Sequence, residues 1–336
     1  MKALAKSFEC EDSVEFIPFQ KDVKSLFSHA MAFINPSENE GMGRTTAEAM
    51  FVVDRLGGMA MWWINQHTKD MSAPQIKYLV NDVKEEVIMM GTSRCELHYV
   101  PSIISDSIGM SVYNGGIDAS DNIYAHYIML NHILSHHIPQ VICLEVMKND
   151  YELQDNPFLT TSFFAPYFGR NEQADSVFRQ AGLYWKYKVS HLYRFNAKSV
   201  SNIAGLVVNR NPNGDNGYYP KAKPPFFPSK IEPLETPVSV DNNKLYYLKR
   251  FIDICKENGI KLFFVVSPCY TYPSSDLYDV IKEVAHQNDI VFINYHSQGL
   301  FLDHPELFMD SFHLWDEGAR KYSSMFASEL KRYLNH

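Results

Sequence analysis

Ser93, Asp310 and His313 are the residues of this chain whose types and spacing could carry covalent chemistry. Ser93 lies in the run Val87-Ile88-Met89-Met90-Gly91-Thr92-Ser93-Arg94, which reads as a buried strand ending in a glycine-containing turn that presents a serine. Asp310-Ser311-Phe312-His313-Leu314 places a carboxylate three residues before an imidazole. A serine hydroxyl is a weak nucleophile until a base lies within hydrogen-bond reach and a third group fixes the tautomer of that base. Asp310 and His313 can touch each other while the second imidazole nitrogen points at Ser93, which suits acyl transfer through a covalent intermediate. The oxyanion that develops needs donors, and losing one typically costs about 2.7–4 kcal/mol. The expected donors are the Ser93 backbone N–H, the N–H groups of a loop formed by Gly115, Gly116 and the residues up to Ala119, and the side-chain amide of Asn149. Arg94 either binds an anionic group of the substrate or pairs with an acid. Cys95 has no base indicated beside it.

These groups need a frame. Strands are expected at Val87–Met90, Ser111–Tyr113, Val141–Val146, Lys261–Ser267 and Ile290–Asn294. Helices are expected at Asp54–Thr68, Gln75–Asp82, Pro101–Ile108, Asn122–His136, Leu277–Gln287 and Gly318–Leu334, with another over Asp241–Cys255 that Asn258-Gly259 terminates. Strands alternating with helices indicate an α/β fold with a mostly parallel sheet, in which functional groups sit after the carboxyl ends of strands. Ser93 and Asn114 both fall there. Glu145 interrupts the apolar run Val141–Val146 and must find a partner inside the protein. His136 and His137 close a helix, where they meet its last carbonyl groups. Residues 151–240 are less regular. They hold an aromatic helix candidate, Tyr184–Phe195, and a Pro/Gly/Asn-rich stretch, Asn211–Pro237, that reads as a lid or a surface loop.

With 336 residues and 46% hydrophobic composition, the chain is long and apolar enough for a large core. A net charge of −8 argues against nucleic acid as a partner. The five cysteines are scattered without a C-x-x-C pair, which argues against both a disulfide framework and a zinc site. Met1 to Ile17 has no long apolar run, and no stretch approaches the roughly 20 apolar residues of a membrane helix, so a cytoplasmic chain without a membrane segment is expected.

Four segments together are similar to the SGNH (GDSL-like) hydrolase superfamily over roughly residues 75–336: Gly91-Thr92-Ser93-Arg94, Asn114-Gly115-Gly116-Ile117-Asp118-Ala119, Leu144-Glu145-Val146-Met147-Lys148-Asn149-Asp150 and Asp310-Ser311-Phe312-His313. The resemblance implies a three-layer α/β/α fold with a mostly parallel, flavodoxin-like sheet. It implies Ser93 as nucleophile, His313 as base and Asp310 as its orienting acid, with no cofactor and no metal. Two departures touch the oxyanion donors: the family's second-block glycine falls at Ala119, and Met147 stands where glycine usually precedes the asparagine. The implied activity is a serine esterase that removes acyl groups, O-acetyl above all, from a carbohydrate or cell-envelope glycan; another small ester would be handled alike. An O-acyltransferase acting on a surface polysaccharide and a non-catalytic glycan-binding protein are the alternatives. The family's usual place is the cell envelope.

The first fifty residues resemble something else. Pro36-Ser37, Glu40-Gly41-Met42-Gly43 and Glu48-Ala49-Met50 are similar to the donor-sugar segment of GT-B glycosyltransferases of the family-4 type, whose two glutamates contact the nucleotide sugar. The expected organisation is therefore a short glycosyltransferase-like fragment, 1–50, followed by an SGNH-like domain, 51–336, carrying an irregular insertion at about 151–240.

Overall fold

The computed structural model describes residues 43–69, 72–120, 122–197, 199–207, 215–234, 239–273, 276–296 and 299–335. The Pro36–Met42 part of the glycosyltransferase-like segment lies outside them. The chain divides into two units, Met1–Val52 and Val53–His336. Among the described residues no helix is long and apolar enough to cross a membrane.

The described residues form seven strands: β1 (Val87–Gly91), β2 (Val112–Gly116), β3 (Val141–Glu145), β4 (Glu232–Leu234), β5 (Lys261–Val266), β6 (Thr271–Pro273) and β7 (Val291–Asn294). Five of them form one sheet in the order β2-β1-β3-β5-β7, every neighbour parallel, while β4 and β6 pair separately. Strands in such a sheet are covered on both faces, which is why β1 and most of β3 and β5 read as apolar runs. Alternate residues serve the two faces. Ile88, Met90, Ile142, Leu144 and Phe264 join the core built with the helices Ser72–Asn81, Ile123–Leu134 and Asn242–Glu257. Val87, Met89, Cys143, Phe263 and Val265 join the opposite core, built with Pro101–Ile108 and Asp316–Leu334. The result is the expected three-layer α/β/α arrangement.

Three expectations need adjusting. The strand expected at Ser111–Tyr113 runs on to Gly116, so Asn114, Gly115 and Gly116 belong to β2, buried and in register with β1. The helix expected over Tyr184–Phe195 is two: Tyr184–Val189, and a 3-10 turn at Leu192–Phe195. The break falls at Ser190 because the Asp54 carboxylate accepts the N–H groups of His191 (2.8 Å) and Leu192 (3.1 Å) together with the Ser190 hydroxyl, a partner set stronger than one more helical turn. Finally, the expected helix at Asp54–Thr68 is the second half of Gly43–His67.

The part of the Pro/Gly/Asn-rich stretch that is described is tied to the fold. Tyr218 is buried, its hydroxyl donates to Asp316 at 2.8 Å, and the Tyr219 N–H donates to the Glu96 carbonyl. Two parallel neighbours, β2 and β3, leave β1 in opposite directions. The resulting switch point lies at the carboxyl ends of β1 and β3, where folds of this class open a crevice.

Candidate functional site

Ser93 begins the helix Ser93–His98 immediately beyond β1, and Thr92 caps that helix by accepting the Arg94 N–H. The Ser93 hydroxyl lies 2.9 Å from His313 Nε2. His313 Nδ1 is 3.0 Å from both Asp310 oxygens, so the ring donates from Nδ1 and accepts at Nε2. Asp310 Oδ1 also accepts the backbone N–H groups of Phe312 and His313, which holds the carboxylate in an Asx turn under its own imidazole. Burial pushes the Asp310 carboxyl up; the His313 hydrogen bond and charge and the two N–H donors outweigh it, and the group lies below its ordinary value. Residues 220 positions apart thus form one hydrogen-bonded chain from hydroxyl to carboxylate.

A buried polar network beneath this chain aligns both ends of it. Arg94, next to the serine, reaches Glu145 Oε1 at 2.6 Å and the Ser267 carbonyl at 2.7 Å. Glu145 accepts the Ser267 N–H and hydroxyl and the Tyr99 hydroxyl. His98 closes the circuit: its Nδ1 lies 2.7 Å from the Ser267 hydroxyl, and its Nε2 accepts the N–H of Leu314, the residue after His313. Burial and the neighbouring positive charge of Arg94 push the His98 imidazole well below its ordinary value, so it is the neutral ring this geometry requires.

The network corrects one expected role. Arg94 does not meet substrate: it is 4% exposed and committed to Glu145 and Ser267. Glu145 finds the partners its burial demanded.

The oxyanion donors fare unevenly. Gly116 is excluded because its N–H donates to Asn114 Oδ1 at 2.9 Å, and Gly115 is excluded because it sits inside the β1–β2 ladder opposite Met90. The Asn114 side chain is structural too: its amide donates to the carbonyls of Cys95 and Tyr99, fastening the serine-bearing helix to β2. Gly116 permits that fastening, since a Cβ there would sit 2.2 Å from the Glu96 nitrogen. Ala119 is exposed, in a turn clamped onto Gly91 through Ile117 and Ser120, and it takes φ +59°. That is the left-handed conformation a glycine would adopt freely, held here by an alanine. Asn149 lies on the loop after β3. That loop is joined to the serine turn by the Thr92 hydroxyl, which donates to Met147 Sδ at 3.3 Å. The fully buried Lys244 holds its backbone through the carbonyls of Asn149 and Glu152, both at 2.7 Å.

Sequence reasoning missed His98, Ser267 and Lys244. Ser267 carried a signal, because it directly follows the carboxyl end of β5 as Ser93 nearly follows β1. His98 and Lys244 carried none, since only packing reveals what a histidine or lysine on a short or amphipathic helix faces. Cys95 is buried and burial raises its thiol well above the ordinary range, so it is no nucleophile. His136 Nδ1 lies 3.2 Å from the His132 carbonyl, as expected, whereas His137 reaches the Glu85 carbonyl before β1. Among the described residues, no cluster of three or more His, Cys, Asp or Glu side chains could hold a metal ion.

A family model described as glycosyl transferases group 1 matches residues 1–52. This agrees with the resemblance of the first fifty residues and adds two to it. No curated protein matches the chain. The expectation of a serine esterase is overturned at this point. The family finding points to glycosyl transfer and thus to a transferase rather than an ester hydrolase, and the SGNH resemblance finds no matching family model.

Proposed function

We propose that residues 53–336 carry a group-transfer site in which Ser93 takes an acyl group from an activated donor and passes it to a hydroxyl of a carbohydrate acceptor. The observation that carries this reading is the Ser93–His313 separation of 2.9 Å with Asp310 on the far side of the ring. The supporting argument for transfer over hydrolysis is the glycosyl-transferase similarity of residues 1–52, which belongs to transfer chemistry on sugars.

In the first half-reaction the Ser93 oxygen attacks the donor carbonyl carbon while its proton moves to His313 Nε2. Asp310 stabilises the imidazolium. Collapse of the tetrahedral species breaks the bond to the leaving group, which departs with that proton. In the second half, an acceptor hydroxyl gives its proton to His313 and attacks the acyl-serine, and the proton returns to Ser93 as the new ester leaves. The Ser93 N–H, the Asn149 amide and the turn at Ala119 are the proposed oxyanion donors. His313 and Asp310 are both partly open to solvent, which leaves room for an acceptor to approach.

The test is incubation with p-nitrophenyl acetate in the presence and absence of an oligosaccharide acceptor, with mass detection of acetylated serine, acetylated acceptor and free acetate. The expected result is a Ser93-bound acetyl group whose transfer to the acceptor outpaces its loss to water, and no acetyl-enzyme in Ser93→Ala. Equal acetylation of Ser93→Ala and parent, or free acetate as the sole product with acceptor present, defeats the proposal.

A further inference from the structure

We propose that the side of the molecule formed by residues 53–67 and 184–207 docks on the surface of an anionic phospholipid bilayer, lying on it without crossing it. The inference is independent of the transfer chemistry.

It begins with charge. The chain holds 39 acidic residues against 31 lysines and arginines, yet residues 176–214 contain no acid at all and six bases: Arg179, Lys186, Lys188, Arg194, Lys198 and Arg210. Lys186 and Lys188 are exposed on the helix Tyr184–Val189. The segment thus lacks the carboxylates that would offset the exposed Lys186 and Lys188.

Apolar exposure coincides with it. Leu56, Met59 and Trp63, spaced by three and four residues, form one stripe of the helix Gly43–His67, and each is more than half exposed. Trp185 and Val189, more than half exposed as well, stand beside the two lysines. Lys188 Nζ lies 4.9 Å over the Trp185 ring. The segments are neighbours because the Asp54 carboxylate caps Ser190, His191 and Leu192, and because Asn202 donates to Asn65 at 3.0 Å. A cavity of about 380 Å³ lined by Trp62, Trp63, Phe195 and Arg194 lies between these segments. Asp54 keeps its negative charge and Glu172 offsets Arg179 at 3.6 Å, while Arg55, Lys186, Lys188 and Arg194 leave this side net positive. Exposed tryptophan among leucine, methionine and lysine is the composition of an interfacial surface, in which rings settle at headgroup depth and cations meet phosphates.

The experiment is co-sedimentation of the full chain with phosphatidylcholine vesicles containing a third phosphatidylglycerol, and with pure phosphatidylcholine vesicles. The expected result is binding to the anionic vesicles that weakens with added salt. Each lysine near an anionic surface strengthens partitioning about fivefold, so Lys186→Glu/Lys188→Glu is expected to bind at least about 30-fold more weakly. A second variant, Trp185→Ser/Val189→Ser, is expected to bind several-fold more weakly while its residual binding keeps the parent's salt dependence. All four positions are exposed, and an unchanged thermal midpoint verifies that the variants fold. Failure of the parent to bind anionic vesicles, equal binding to neutral ones, or undiminished binding by the lysine variant overturns the proposal. So does a lipid-free dimer, seen by sedimentation velocity, that dissociates in the Trp185 variant, because a second copy then covers the face.

Discussion

Acid should unfold this protein at a pH set by its buried histidines. Burial holds His126 and His296 at about 3 and His132 at about 4, and His98 lies well below its ordinary value. His126 is the cleanest case. It is fully buried, neither ring nitrogen has a hydrogen-bond partner among the described residues, and its Nε2 stands 3.5 Å from Asp150 Oδ1. In the unfolded chain each imidazole takes up a proton below pH ~6.5, whereas in the fold each stays neutral, so stability falls as pH drops through that range. At pH 5 His126, His296 and His132 each cost about 2 kcal/mol, and His98 acts in the same direction. Glu96 works the other way. Burial, with the Asp118 charge adding to it, raises its carboxyl to about 7. Its neutral form in the fold recovers about 2 kcal/mol between pH 7 and 5. The net loss from these groups is about 4 kcal/mol, close to the whole stability of a marginal domain. Urea unfolding followed by tryptophan fluorescence at half-unit steps from pH 7.5 to pH 5 measures it. His126→Phe, which sacrifices no hydrogen bond of the ring, should flatten the profile by about 1.4 kcal/mol per pH unit below pH 6. A parent profile that is level down to pH 5 would refute the reasoning. So would a His126→Phe profile parallel to the parent's, because Asp150 would then hold a protonated His126.

Other consequences follow from single contacts. Gly116→Ala should destabilise the fold by about 3 kcal/mol or more, because the new methyl meets helix backbone that cannot yield; chemical denaturation checks it. Glu145→Gln should cost about 3–5 kcal/mol by leaving the buried Arg94 uncompensated, and a double cycle with Arg94→Met should show strong coupling between the two positions. Lys244→Met removes a buried charged donor from three oxygens and should cost about 3 kcal/mol, with faster amide exchange over residues 149–154. Asp310→Asn should lower the rate of Ser93 acylation by about 10³–10⁴-fold while leaving stability nearly unchanged, since the wrong imidazole tautomer is then favoured; burst kinetics with p-nitrophenyl acetate reports it.

The strands β1, β3 and β5, the helix ends at Ile108 and Gly259, and the pairing of Asp310 with His313 were legible in the amino-acid sequence because they rest on local chemistry. Apolar runs, caps and a three-residue spacing act within a few residues of themselves. The placement of Ser93 in a turn after a buried strand was legible for the same reason. What the sequence could not decide was the fate of polar groups whose partners lie on other elements. Arg94 read equally well as a substrate ligand or an ion-pair partner until the sheet order set Glu145 and Ser267 beside it. Asn114-Gly115-Gly116 looked like a turn because glycine and asparagine disfavour strands, but β1 supplied ladder partners and the serine helix needed a surface without side chains. His98 and Lys244 gained their roles only when β5 and the loop after β3 closed over them. Local propensity is encoded residue by residue. Burial of a charge, by contrast, is set by which distant segments the topology brings within about 3 Å, and folding alone makes that choice.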